Sequence, residues 1–247
     1  MKGRLVINAD DLGLSREINE GILWGLANGC ISDTSMLIKA PHAQNAVEGL
    51  GSLGISHAGI HINLDEVLGW SPGGREVHPR RVLMDLLETG GFSKECHAEA
   101  RRQIEMFLST GLIPSHIDTH HHVHGFMSVF RIILALAREY GIPAVRFSPK
   151  GYRLPTREDI PFDEGLYAVM QGELRERGLY SCDCCLEGAH RLEETGPGDT
   201  ELVVHPSRRG EPWRSAELDS LKGRDSDSRL AARGIRVVSF RDLVGRS

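Results

Sequence analysis

A run of nine residues, His116 to His124, contains five histidines and one aspartate. Neutral imidazole is the commonest metal ligand in proteins. Because side chains alternate across a strand, His116, Asp118 and His120 should share one face, which His122 joins if the strand continues. Adjacent histidines point apart, so only some of them can be ligands. An exposed polar loop is the alternative, but the pattern favours a metal site.

Two adjacent carboxylates, Asp10 and Asp11, follow the short β-rich run at residues 4–9, and no lysine or arginine lies between them and Arg16. An acid pair is also typical of the first turn of a helix. Beside a histidine cluster, however, one aspartate could hold a metal while the other accepts a proton. These residues alone leave open which aspartate does which.

Two single histidines complete the set of candidates. His61 lies in the apolar segment 59–64, where a buried strand histidine would be equally typical. Given an aspartate and another histidine, His61 becomes the best third ligand, and such a set leaves coordination positions open for water and substrate. His205 follows an apolar run and precedes Pro206, where a strand would end. If His205 is functional, it would act as a general acid that donates a proton to the leaving group of a substrate.

Runs of strand length alternate with stretches of helical spacing along the chain. The predicted strands cover residues 4–9, 34–38, 58–64, 115–119, 144–147, 201–205 and 235–239. The predicted helices cover residues 15–28, 93–110, 127–140, 164–177 and 230–233. This repeated order predicts a parallel sheet with crossover helices. The candidate residues lie at the carboxyl ends of four predicted strands, which is where active sites form in α/β barrels.

The chain of 247 residues suits one domain, residues 1–247, with an α/β fold. We expect a TIM-like (β/α) barrel whose strand number need not be the regular eight. No glycine-rich dinucleotide or phosphate-binding motif is present. The polar segments 69–79 and 193–199 are predicted to be loops rather than linkers.

Composition restricts the class of protein further. A net charge of −5 and a pI near 6.2 argue against a partner that is nucleic acid or an anionic membrane. The amino-terminal residues do not fit a signal peptide. Five cysteines do not form a disulfide framework, so we expect a reduced, cytoplasmic protein. Cys182, Cys184 and Cys185 lack a paired second cluster, and no structural zinc is expected there.

Four separated motifs resemble the YdjC-like carbohydrate deacetylases, a family that includes chitooligosaccharide deacetylase. They are NADDLGLS at 8–15, GIHINL at 59–64, HIDTHHHVH at 116–124 and HP at 205–206. Order and spacing agree from residue 4 to about residue 243. The resemblance implies a TIM-like barrel, a divalent metal and hydrolysis of an N-acetyl group from an amino sugar. Leu12 departs from the pattern, since many relatives have an aromatic residue there.

Matched motif by motif, the resemblance implies that Asp11, His61 and His120 are the metal ligands. It implies that Asp10 is the general base and that His205 corresponds to the late histidine of the family. Three further residues are expected to orient ligands or to touch sugar hydroxyls in the substrate site: Asp118, His122 and His124.

The expected cofactor is one divalent metal ion. Magnesium and zinc are the two candidates, and the ligands do not specify which of them is bound. The expected partner is a small carbohydrate substrate. Binding to nucleic acid or to a membrane is not expected, and a homodimer is compatible with the sequence. One alternative is a metal- and sugar-binding barrel without deacetylase activity, and another is a different metal-dependent carbohydrate hydrolase. A third is a non-haem iron site built from His116, Asp118 and His205, which would require an all-β fold.

Overall fold

Strands and helices alternate along the chain in the computed structural model, which describes residues 3–68, 91–147, 164–222 and 226–245. The strands are β1 (Gly3–Leu12), β2 (Asp33–Met36), β3 (His57–Ile62), β4 (Ile113–Thr119), β5 (Cys184–Glu187), β6 (Gly198–Val204) and β7 (Ile235–Val237). The helices are α1 (Arg16–Ala27), α2 (Ala43–Ser52), α3 (Asp65–Leu68), α4 (Ser93–Ser109), α5 (Met127–Glu139), α6 (Glu164–Glu176), α7 (Pro212–Lys222), α8 (Ser226–Ala232) and α9 (Phe240–Leu243). Two 3₁₀ segments cover His120–Gly125 and Ala189–Glu194.

All strand pairs in these ranges are parallel, in the order β4-β3-β2-β1-β6-β5, with β7 beside the first residues of β1. Single bridges carry the pairing from Ile117 in β4 to Val145, and from Ala144 to Tyr180, shortly before β5. Within the described ranges the sheet therefore curls towards closure without a continuous ladder. This seven-stranded α/β sheet with flanking helices is consistent with the predicted TIM-like barrel, and it does not fit the all-β fold of the iron-site alternative.

The central strand β1 is buried along almost its whole length, and Leu5, Ile7 and Ala9 belong to the main apolar core. Helix α1 covers the sheet with Ile18 and Ile22 and begins at Ser15, whose hydroxyl accepts a hydrogen bond from the backbone N–H of Ile18. Parallel sheets covered in this way direct the carboxyl ends of their strands to a common edge. None of the helices in the described ranges combines the length and apolar composition that a bilayer crossing needs.

Several predicted boundaries were wrong. Strand β1 continues past residue 9, so that Asp10 and Asp11 lie inside it, because pairing with β2 resumes at Leu12. The segment 144–147 forms only isolated bridges and not a regular strand. Helix α2 was not predicted because it contains two glycines and no side chain caps its start, and β5 was not predicted because its cysteines suggested other chemistry. The predicted loop at 193–199 contains the end of a 3₁₀ segment and the start of β6, and the loop at 69–79 lies outside the described residues.

Candidate metal centre and active site

Asp10 and Asp11 both reach the carboxyl edge of the sheet because β1 contains an irregularity at that point. Between Ala9 and Leu12 the strand advances three residues while β2 advances two, and Asp11 has a φ of 70°. Asparagine and aspartate tolerate this left-handed region better than most residues. In a regular strand these neighbours would point to opposite faces. Here Asp10 Oδ2 lies 3.9 Å and Asp11 Oδ1 3.6 Å from the same atom, His61 Nε2.

Asp11, His61 and His120 bring three potential ligand atoms together. Asp11 Oδ1 lies 3.6 Å from His61 Nε2 and 3.3 Å from His120 Nδ1. That oxygen is buried and accepts no hydrogen bond. A buried carboxylate oxygen without a donor, facing two imidazole nitrogens, fits a divalent cation. In two other buried groupings, which combine Asp118 with Asp10 or Glu201, the carboxylates already pair with the Arg146 guanidinium, whereas Asp11 Oδ1 has no hydrogen-bond partner among the described residues.

The ring of His61 is fixed by a carboxylate on its far side. His61 Nδ1 lies 2.7 Å from Asp118 Oδ1, and Asp118 also accepts a hydrogen bond of 2.7 Å from Ser35. Burial would lower the pKa of His61, but the neighbouring carboxylates of Asp118 and Asp10 raise it to about 9. In the neutral form of His61, which is the form that binds metal, a hydrogen on Nδ1 held by Asp118 leaves the Nε2 lone pair directed towards Asp11. Such a carboxylate partner is typical of metal-binding histidines.

Replacing Asp118 by asparagine should weaken metal binding by about 10–100-fold, because His61 loses the anionic acceptor that orients it. Competition with a chromophoric chelator measures the affinity. The control is Asp199→Asn, which removes a carboxylate paired with Arg4 at the opposite end of β1. The control should bind metal as the wild type does. Unchanged affinity in Asp118→Asn, or equal loss in both variants, would contradict this role.

Arg146 was missed by the sequence interpretation and is the central cation of the site. It is completely buried and donates to both oxygens of Asp10, at 2.6 and 2.7 Å, and also contacts Asp118 and Glu201. Burial would raise the pKa of Asp10, but the guanidinium and His61 lower it below its usual value. Asp10 is therefore held ionised. Arg146 lies in the predicted strand 144–147, where an isolated arginine among apolar residues was the one available sign.

A second arginine, Arg214 of α7, contacts the other aspartate. Its Nη2 lies 2.7 Å from Asp11 Oδ2, the oxygen that does not face the histidines. Burial would raise the pKa of Asp11, but His120, His205 and His61 hold it well below its usual range. Asp65 lies 3.9 Å from His120 Nε2, on the side of that ring away from Asp11. Both candidate histidine ligands thus have a carboxylate near their second nitrogen.

The three remaining histidines that the sequence predicted to be functional differ in solvent exposure. His205 Nε2 is 4.0 Å from Asp10 Oδ2, and the His205 side chain is partly exposed. His122 is buried with Nε2 3.9 Å from Glu187 Oε2, and His124 is buried with Nδ1 2.6 Å from the Thr119 hydroxyl. Burial lowers the pKa of both His122 and His124.

The predicted strand end at Thr119 is confirmed, so His122 does not join the face of His116 and Asp118 through a continued strand. Strand β4 ends there, and His121 and His122 have φ values of 54° and 53°. His116 lies apart from the candidate ligands, stacked on Phe240 with ring centroids 3.9 Å apart and 2.9 Å from the Ser35 hydroxyl. His120 nevertheless reaches Asp11, because the chain turns at the strand end and directs that ring across the edge of the sheet.

The cysteines lie outside this centre. Cys184 and Cys185 belong to β5, and burial raises the pKa of the Cys182 and Cys185 thiols well above their usual value. Thiols of this kind are poor metal ligands and nucleophiles. No cysteine of the described ranges joins a group that could hold a metal.

A parallel α/β sheet with an Asp-His-His cluster at its carboxyl edge defines a barrel-like α/β protein with a candidate metal centre. A family model described as YdjC-like protein matches residues 4–232. The chain belongs to the YdjC-like family, as the four motifs predicted.

Individual proteins agree with this assignment. The chain is 30% identical to the chitooligosaccharide deacetylase of Serratia marcescens, over 98% of this chain and 100% of that protein. It is 36% identical to the carbohydrate deacetylase of Clostridium beijerinckii, over 57% of this chain and 58% of that protein. A crystal structure from Enterococcus faecalis V583, provisionally described as a cellobiose-phosphate cleavage protein, superposes with a TM-score of 0.73. That structure is 20% identical and the match covers 98% of this chain and 99% of the other, so it supports the fold alone.

Proposed function

We propose that this protein is a metal-dependent carbohydrate deacetylase, which hydrolyses an N-acetyl group from an amino sugar and releases acetate. The observation that carries the proposal is the pair of adjacent aspartates with different surroundings. Asp11 presents an oxygen without a donor to His61 and His120, whereas both oxygens of Asp10 are held by Arg146. Relatives named carbohydrate and chitooligosaccharide deacetylases support the same activity.

In this proposal Asp11, His61 and His120 hold one divalent ion. When bound, the ion acts as a Lewis acid on the acetamide carbonyl and acidifies water in the site. Asp10 accepts the proton of the attacking water through Oδ2, the oxygen nearest to His61 and His205. The low pKa weakens Asp10 as a base but keeps it ionised. His205 donates a proton to the departing amine, and acetate and a free amino sugar result.

Other residues position these groups. Asp118, with all its contacts inside the protein, orients His61 rather than touching a sugar hydroxyl. Arg146 fixes the orientation of the Asp10 carboxylate. His122 and His124 stay candidates for the substrate site. His122 lies near Glu187, so they would contact a substrate on that side of the metal centre. A binding barrel without activity would explain the three ligands but not a second ionised aspartate beside them.

Purified protein should release acetate from N-acetylglucosamine or its oligosaccharides, and a chelator should abolish this release. Adding back magnesium or zinc, each tested alone, should restore it, because Asp10 and His205 alone lack a Lewis acid. Acetate is measured enzymatically, with deacetylated sugar quantified in parallel. Full activity in metal-depleted protein would contradict the metal-dependent mechanism, and binding of sugar without acetate release with either metal would favour the binding-only alternative.

Finer properties stay predictions. The ion is proposed to be magnesium or zinc. Two imidazoles and a carboxylate suit several divalent metals, so the ligand set does not decide between them. A cytoplasmic location, the absence of a nucleic-acid partner and a single domain over residues 1–247 are predictions from the sequence arguments alone, and a homodimer is compatible with them.

A further inference from the structure

Trp213 is an exposed aromatic side chain beside the candidate active site. Among the described residues with large exposed apolar side chains it is the aromatic one, with 51% of its surface exposed. Its ring centroid lies 5.9 Å from that of His205, whose Nε2 is 4.0 Å from Asp10 Oδ2. One side chain therefore separates the indole from the proposed general base.

The indole is held in place from the side of the metal centre. The Arg214 guanidinium lies 4.5 Å from the Trp213 ring centroid and also contacts Asp11 at 2.7 Å. Glu217, one turn further along α7, accepts hydrogen bonds from the backbone N–H groups of His205 and Ala189. These contacts tie the start of α7 to the end of β6, so the exposed ring has a fixed position relative to His205.

We infer that Trp213 is a stacking surface for the pyranose ring that carries the acetamide group. This inference rests on the proposed function for the position of the reacting group. The C–H face of a pyranose is apolar while its rim is hydroxylated, and a fixed indole edged by polar residues complements both. A stack on Trp213 places the ring next to His205, the proposed proton donor to the amine nitrogen. A preorganised aromatic surface also lowers the ordering cost of binding.

The test compares Trp213→Ala and Trp213→Phe with the wild type on N-acetylglucosamine and its β-1,4-linked disaccharide. We expect the alanine variant to raise KM by about tenfold with kcat within about twofold, and the phenylalanine variant to stay close to the wild type. Metal content should not change in either variant. Trp24→Phe is the matched control, since Trp24 lies on α1 beside Lys222. Inhibition by acetate, which has no sugar ring, should be equal in all four proteins.

Calorimetric binding of the disaccharide separates this inference from the proposed activity. Acetate release with an unchanged KM in Trp213→Ala overturns the stacking surface and leaves the deacetylase intact. Disaccharide binding that depends on Trp213, without acetate release by the wild type, supports the stacking surface and overturns the deacetylase. A wild-type protein that binds neither sugar overturns the stacking surface, as does an equal KM increase in Trp24→Phe.

Discussion

Replacing Asp10 by asparagine should lower the rate of acetate release by about 10²–10⁴-fold, the usual contribution of a positioned general base. Asparagine keeps the shape of the side chain but cannot accept a proton from water at neutral pH. Metal content should stay near that of the wild type, because the three candidate ligands Asp11, His61 and His120 are unchanged. Added metal should not restore the rate.

The matched control for this prediction is the neighbouring substitution Asp11→Asn. It replaces an anionic ligand by a neutral one, so metal affinity should fall and excess metal should restore part of the activity. Asparagine also tolerates the left-handed backbone at this position, so the substitution adds no backbone strain. Metal content and acetate release are measured for both variants side by side. Equal metal loss in both would mean that the pair binds the ion together, and full activity in Asp10→Asn would remove Asp10 from the mechanism.

Replacing Arg146 by methionine should destabilise the metal-free protein by about 3–5 kcal/mol, the usual cost of removing one partner from a buried ion pair. The guanidinium is completely buried and contacts Asp10, Asp118 and Glu201, which would remain as an uncompensated cluster of carboxylates. Urea unfolding at pH 7 measures the loss. Arg101→Met removes an ion pair of similar length to Glu139 on the surface, where solvent screens the charges, so its destabilisation should be much smaller. Similar losses in the two variants would contradict the central role of Arg146.

The cost of Arg146→Met should also depend on pH. In the folded wild type the pKa values of Asp10 and Asp118 lie below their usual range, with Arg146 the largest favourable cause. Their ionised forms therefore stabilise the fold above the unfolded pKa of about 3.9, and this contribution is lost as the pH falls through the lower folded pKa. The difference between wild type and variant should be greatest near neutral pH and should narrow below about pH 4. A difference that grows on acidification would contradict this assignment.

The parts of the site that lie on regular strands were predictable from the sequence. The apolar runs before Asp10, around His61, before Asp118 and before His205 predict parallel strands, and the carboxyl ends of such strands meet at one edge. The local pattern alone thus predicts that residues far apart in the chain lie close together at this edge. The structure brings Asp10, Asp11, His61, His120 and His205 within one cluster for this reason.

The parts that depend on long-range contact were not predictable. The sequence around Asp10 contains no nearby arginine, yet Arg146 and Arg214 reach the two aspartates from 136 and 203 residues away. Ion pairs of this kind leave no periodic pattern. The strand end at Thr119 was predicted, but the left-handed turn at His121 and His122 was not, because a run of histidines has no glycine or proline to indicate such a turn.

Three residues of the described chain that are not glycine have a positive φ, and all three belong to the candidate site or adjoin one of its residues in the chain: Asp11, His121 and His122. Every other positive-φ position in those ranges is a glycine. A left-handed conformation costs a residue with a side chain free energy that glycine avoids, of order 1–3 kcal/mol. The backbone conformation alone would therefore favour glycine at these positions. Asp11 supplies a candidate metal ligand from such a position, so part of the stability of this edge of the sheet is given up where the functional groups lie.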